Sequence, residues 1–402
     1  MTFRKLLLIA CLILFLSACW MLYKMYKSPP VGPMGEVLLQ DEDVHTAQII
    51  ASGVSMVNTT RRTESDGKYR RDAHAKTIGC AAATFTVKPL EPRFRHGLFA
   101  APKSYKAWIR FSSGSTTPQS DWKPDARGMA IKVLGVDGKK LLEGEEDDRT
   151  QDFLMIDNPV FFIQDVAEYA LLTRYQGQGS QFGYFFGDGT AFFKNPARWR
   201  MRQFRIGMGI LKLLPKNLLS TRFYSMSAYK LWVAQYVKYS AKPGPCGQGK
   251  VPDPSIPWNR DGLRQNLAQQ LKSGPGYCFD FMVQPQVAEK NMPVEDTTIE
   301  WSEKDSPFVP VARIEIAKQD NAPALDSGFC ENLSFTPWHA LPEHQPVGGL
   351  NRVRKAVYQN IARYRRCKNG VAVGEPKEDG SLAFDSKPCD AHEPAPAVSA
   401  AR

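Results

Sequence analysis

The chain opens on an apolar stretch, Leu6 to Tyr23, interrupted only by Ser17 and preceded by Arg4 and Lys5. As a helix it is about 27 Å long at about 1.5 Å per residue, enough to cross a hydrocarbon core. Residues 24–65 read as a linker, begun by Pro29, Pro30 and Pro33, that leads into a helix. The pattern then changes to alternation. Ala83 to Val87, Ala107 to Ser112 and Met129 to Val133 alternate apolar and polar positions, as half-buried strands do. Asp137-Gly138 is a turn signal between strands. Val166 to Tyr175 reads as a helix, and so does the basic, apolar segment Trp199 to Leu219, which packs on the domain or lies at a membrane surface. Strands return at Leu231 to Tyr239, Tyr277 to Val283 and Val309 to Ile316, with a helix at Asp261 to Gln270 between them. A last helix runs from Asn351 to Arg366, with Val353, Val357, Ile361 and Tyr364 in one stripe. Strands followed by helices predict an α+β fold. Residues 373–402, rich in Pro, Ala and charge, read as a flexible tail.

Composition narrows the classes. A 402-residue chain with 43% hydrophobic and 23% charged residues can bury a sizeable core. The net charge of +11 favours anionic surfaces or ligands. The basic residues are dispersed, however, and no nucleic-acid motif accompanies them, so no nucleic acid is expected as partner. Positive residues ahead of the apolar stretch favour export of the chain beyond it. Leu16-Ser17-Ala18-Cys19 also resembles a lipobox, so residues 1–23 are either a membrane anchor or a lipoprotein signal. Either way the globular part sits outside the cytoplasm, membrane-anchored, at the periplasmic face of an inner membrane or as a lipoprotein. Six cysteines lie beyond Cys19, where an exported domain permits disulfides; their pairing is open among 15 possibilities. No C-x-x-C pair is present, which speaks against zinc.

The candidate chemistry lies in a run from Arg71 to Asp165 and in the last helix. His74 is one of only six histidines and is a candidate acid/base group. Arg110 and Ser112, two apart on a strand, share a face with Trp108, and a buried arginine there needs an anion. One of the adjacent rings Phe161 and Phe162 can pack on a flat ligand while the other fills core. On the last helix, Arg354, Tyr358 and Arg365 fall beside the apolar stripe. A guanidinium one turn from a phenol lowers the phenol's pKa and suits it to bind iron.

These residues carry a resemblance. Arg71-x-x-His74-Ala75-Lys76, Arg110-Phe111-Ser112, Asp125-x-Arg127-Gly128-x-Ala130-x-Lys132 and Pro159-Val160-Phe161-Phe162-Ile163-x-Asp165 resemble, in the same order, motifs of the haem catalase superfamily. Arg354-x-x-x-Tyr358 is similar to that family's axial-ligand motif. Leu333-Ser334-Phe335-Thr336-Pro337-Trp338-His339 resembles its divergent short catalase-related branch. The resemblance implies a catalase-like antiparallel β-barrel core with surrounding helices over residues 66–372, holding heme b and its iron. Tyr358 is then the metal ligand and Arg354 its partner. His74 is the distal acid/base group with Ser112 beside it. Arg71, Arg110 and Arg365 hold propionates, Phe161 packs at the cofactor, and Tyr169 stands near its face. The family's distal asparagine lies three residues before the Pro, where this chain has Ile156. Asn158, two positions later, is the catalytic candidate if a local shift brings it in; otherwise that role is missing.

The implied function is a peroxide-metabolising oxidoreductase acting on hydrogen peroxide or organic hydroperoxides. The altered asparagine position tilts it toward peroxidase or organic hydroperoxide activity with modest catalase activity, using an electron donor that the sequence does not identify. The alternatives are a haem enzyme that rearranges fatty-acid hydroperoxides and a non-enzymatic haem-binding envelope protein. The oligomeric state is open.

Overall fold

Alternation along the first strands decides where the site is built. In the strand Ser104–Ser113 (β2), Ile109 and Phe111 point into the main core, while Trp108, Arg110 and Ser112 point the other way. The computed structural model describes residues 3–27, 29, 32–187, 195–211, 214–233, 235–246, 256–371 and 374–384. The strands are β1 (Thr77–Val87), β2, β3 (Arg127–Leu134), β4 (Thr150–Ile156), β5 (Phe223–Tyr224), β6 (Tyr229–Lys230), β7 (Tyr236–Pro243), β8 (Tyr277–Pro285) and β9 (Val309–Ile316). The order β5-β4-β3-β2-β1-β9-β8-β7 closes through a β5–β7 pairing into an eight-stranded antiparallel barrel, and β6 adds to β7. Closure leaves the barrel without free edges. Its interior is packed with Phe85, Phe111, Phe153, Tyr239, Phe281 and other apolar side chains.

The helices are α1 (Phe3–Tyr26), α2 (Glu42–Thr63), α3 (Val166–Gly177), α4 (Gln181–Phe186), α5 (Met201–Ile210), α6 (Gly262–Ser273), α7 (Ala322–Asp326), α8 (Phe329–Asn332) and α9 (Gly349–Lys368). The stripe Val353, Val357 and Ile361 of α9 is buried against Ile49 and Val57 of α2 and Val166 and Ala170 of α3. This three-helix layer lies outside the barrel and faces the outer side of β2–β4. The fold is therefore α+β with a barrel core, as expected.

Two expectations need correction. The strand expected at Leu231 to Tyr239 begins only at Tyr236, because Trp232 takes φ 70° and the chain turns before β7. The long helix expected at Trp199 to Leu219 is only α5, Met201–Ile210. Pro215 cannot continue a helix, and Asn217 instead caps a single 3-10 turn at Leu218–Ser220 through the Leu219 N–H. The strand β4 falls within the stretch from Arg71 to about Ile163 that reads as strands, but the sequence does not mark it as a separate element. The tail expected from residue 373 is described only at 374–384; the rest lies outside the described residues.

Disulfides join Cys80 to Cys330 and Cys246 to Cys278, and Cys367 is disulfide-bonded as well. Cys11 and Cys19 are free and exposed. The helix α1 contains a 23-residue stretch, Arg4–Tyr26, long and apolar enough to cross a membrane, and none of it is buried in the protein.

Candidate active site

Three strands and one helix enclose a cavity. Cross-strand register aligns Ser112 with Gly128 and Gly128 with Ile156, so these residues form one row on the outer face of β2, β3 and β4. Arg110, Ala130 and Leu154 form the next row. The helix α9 lies opposite and contributes Arg354, Tyr358, Ile361, Ala362 and Arg365. The loop ahead of β1 adds Arg71, Asp72, Ala73 and His74. The cavity between them holds about 840 Å³ of empty space, mouth included.

His74 lies on the strand side. It takes φ 54°, a left-handed conformation that a non-glycine residue adopts only when its surroundings hold it there. Two contacts do so. Its N–H donates to the Gly114 carbonyl at 3.2 Å, and Arg110 donates to its carbonyl at 2.9 Å. Its Nδ1 is hydrogen-bonded to Ser112 Oγ at 3.0 Å. Gly128 makes room for both groups: a Cβ there would stand 2.6 Å from the imidazole and 2.7 Å from Ser112 Oγ. Burial, and then the charges of Arg110, Arg71 and Arg354, push the His74 pKa down to about 3. The ring is therefore neutral at ordinary pH.

Across the cavity, Arg354 Nη2 donates to the Tyr358 hydroxyl at 3.2 Å, and the guanidinium stands 4.9 Å from the phenol ring. Burial works against the Arg354 charge, but Tyr358 and Tyr229 hold its pKa above the ordinary value. Arg354 Nη1 donates to Asn351 Oδ1 at 2.9 Å. The Asn351 amide in turn donates to the Ala228 and Val347 carbonyls. Asn351 thus orients Arg354, a role that sequence reading missed. Tyr169, on α3, lines the same cavity, and burial raises its phenol pKa.

At one end stand Arg110 and Arg365, both buried, and Arg71, half-buried. Arg71 pairs with Glu331 at 2.9 Å; Arg71 and Arg365 both donate to the carbonyls of Glu331 and Leu333. Arg110 donates to Thr77 Oγ1, which itself donates to Glu331. Glu331 was not legible in the sequence, because nothing in its neighbourhood marks it. Its pKa is lowered: burial alone would raise it, but the three arginines prevail. Burial, and then Arg71, push the Arg110 and Arg365 pKa values down. Burial pushes the Asp72 carboxyl beside them toward its neutral form. Guanidinium groups outnumber carboxylates here, so this end carries an excess of positive charge.

Two expected site residues lie elsewhere. Asn158 is not among the cavity-lining residues; it has left the end of β4, and its amide donates to the Val160 carbonyl at 2.7 Å. Ile156, the last residue of β4, occupies the wall position instead. Phe161 lies behind the wall, its ring centroid 4.8 Å from that of Phe162, and packs with the cluster of Ile156, Ile206 and Ile210. Met226, at φ 61°, lines the cavity and carried no signal in the sequence.

A family model described as catalase matches residues 24–376. The chain belongs to the catalase family. The fold agrees with solved catalase structures. A fungal catalase is 19% identical with a TM-score of 0.58, covering 86% of this chain and 66% of its own. Catalase A from Saccharomyces cerevisiae is 20% identical with a TM-score of 0.56, covering 85% and 67%. A bacterial catalase is 17% identical with a TM-score of 0.52, covering 91% and 71%. The chain thus spans about two thirds of the length of the catalases it matches. Among curated proteins none matches it.

Catalases usually bind haem, and the donor set here fits that group. A phenol backed by a guanidinium suits ferric iron. The excess of positive charge at one end suits carboxylate groups such as propionates. Tyr358 would hold the iron, with Arg71, Arg110 and Arg365 at the propionates.

Proposed function

We propose that this protein is a haem-dependent peroxide-cleaving enzyme, held to a membrane by α1, that favours peroxidase or organic hydroperoxide chemistry over rapid disproportionation of hydrogen peroxide. One observation carries the reading. A neutral, strained histidine hydrogen-bonded to Ser112 faces the Arg354–Tyr358 pair across a single cavity. The chemistry haem supplies when bound is a redox-active iron at which the O–O bond breaks.

This chain's own residues move the proton. The Ser112 contact occupies His74 Nδ1 and leaves Nε2 as the nitrogen for the substrate. With its pKa near 3, His74 takes the proton from one peroxide oxygen and returns it to the departing oxygen. Arg354 donates to the Tyr358 oxygen and orients it toward the cavity, where it would hold the iron. Arg71, Arg110 and Arg365 bind carboxylates and set orientation.

The wall at Ile156 supports the peroxidase side. An isoleucine offers a second peroxide molecule no hydrogen bond, whereas an asparagine amide would. Met129, Leu154, Met155 and Met226 make the rest of that wall apolar, which suits an organic hydroperoxide. Anchoring by α1 rests on the apolar run Leu6 to Tyr23, none of it buried, which follows Arg4 and Lys5. It would leave the domain outside the cytoplasm, where disulfides persist.

The test is His74→Ala in haem-loaded protein, assayed for oxygen release and for oxidation of an organic donor. We expect both to fall by about 10²- to 10⁴-fold with haem still bound. Unchanged rates would refute the acid/base role of His74.

A further inference from the structure

We infer that the exposed face of α4 and α5 is a membrane-seating surface: it rests on the anionic lipid headgroups of the bilayer that α1 enters. The inference rests on reading α1 as a bilayer span, and goes beyond it by giving the domain a fixed side toward the lipid.

The end of α1 is fastened to the domain at this place. Lys24 Nζ donates to the carbonyls of Ala197 and Trp199, each at 2.8 Å. Arg205 of α5 donates to the Met25 carbonyl at 3.0 Å, and its guanidinium stands 5.0 Å from the Tyr26 ring. Trp20, Tyr23 and Tyr26, followed by Lys27, are the residues expected where a span leaves the hydrocarbon. Arg205 therefore lies at interfacial depth. Met208 is one turn further along the same face of α5, about 5 Å away.

That face is apolar and unpaired with the domain. Met208, Leu211, Leu214 and, on α4, Phe182 are 37–67% exposed. The opposite face of α5 is anchored: Ile206 and Ile210 are buried against Ile156, and Gly207 sits under Phe185. The charge matches an anionic surface. Between positions 194 and 216 the sequence has seven basic residues and no acidic one. Arg200 and Arg202 turn inward, to Glu168 and Thr298. Arg198 and Arg205 are exposed. An amphipathic helix with basic and large apolar residues on its outer face, held at headgroup level, has the character of an interfacial helix. The cavity wall at Ile156 is then one side-chain layer from the membrane-facing helix.

The test uses the full chain carrying Cys11→Ser and Cys19→Ser, with a nitroxide label on Met208→Cys or, as control, on Lys139→Cys in the β3–β4 connection. The protein is reconstituted in phosphatidylcholine–phosphatidylglycerol vesicles. Collision of the label with oxygen is compared with collision with a water-soluble nickel chelate. We expect the label at 208 to favour oxygen several-fold over the label at 139, and this preference to shrink in phosphatidylcholine alone. Equal access by nickel at both positions would overturn the inference while leaving the span intact. So would protection of position 208 from both reagents in vesicles and micelles alike, which marks a protein contact. A chain that alkaline carbonate strips from the vesicles instead refutes the span reading, and with it this surface.

Discussion

His74 depends on a neighbour that has no side chain. Its ring and the Ser112 hydroxyl occupy the space a Cβ at Gly128 would take, at 2.6 and 2.7 Å. The glycine in the Asp-x-Arg-Gly motif is thus needed for the acid/base pair. Arg127 and Lys132 of the same motif serve structure, the first bonded to Ser113 and the Asp121 carbonyl, the second to Asp152. We expect Gly128→Ala to keep the barrel but to push His74 out of line, lowering peroxide cleavage by about 10²-fold. Turnover measured beside a thermal melt checks this; full activity would show that His74 has room to shift. The same row explains Ile156. It follows Ser112 and Gly128 across the ladder, so its side chain must face the cavity, whereas Asn158 lies beyond the strand end.

At the scale of elements, legibility followed periodicity. The strand β9 was readable to its ends, and α9 to within two residues, because alternation and an apolar stripe mark them. The strand β4 was not, since Gln151 and Asp152, on its opposite faces, are both buried in polar contacts and blur its alternation. Motif residues His74, Ser112, Arg354 and Tyr358 were legible and do meet. Glu331 and Asn351 were not, because each acts through tertiary contacts from a segment without a distinctive pattern. The Cys80–Cys330 disulfide has a consequence here. It ties β1 to α8 across a separation of 250 residues, immediately beside Glu331. Replacing both cysteines with serine should cost about 2–5 kcal/mol of stability and loosen the arginine cluster. Denaturant midpoints of the variant, with and without haem, check this. An unchanged midpoint would contradict it.

Across the whole molecule, the buried His339 and His344 and the half-buried His74 give stability a peaked pH dependence. Burial, with nearby positive charge, lowers His74 and His344 from 6.5 to about 3. Below pH 6.5 the unfolded chain takes up protons at these sites and the folded chain does not. Stability is therefore lost as pH falls from 6.5 toward 3, by up to about 1.4 kcal/mol per pH unit for each group. His339 behaves oppositely. Burial disfavours its charge, but Glu375 and Asp152 raise its pKa to about 10. Its contribution is complete below 6.5 and is lost as pH rises from there to 10. Denaturation midpoints across this range should peak near neutrality, with the alkaline slope reduced in His339→Gln; a flat profile would contradict the assignment. The central claim concerns the cavity that barrel and helices enclose together. Its most direct test is the absorption spectrum of the haem-loaded protein beside that of Tyr358→Phe. We predict a tyrosinate-type ferric spectrum that is lost in the variant. A folded wild-type protein that takes up no haem, or a variant whose spectrum is unchanged, would contradict it.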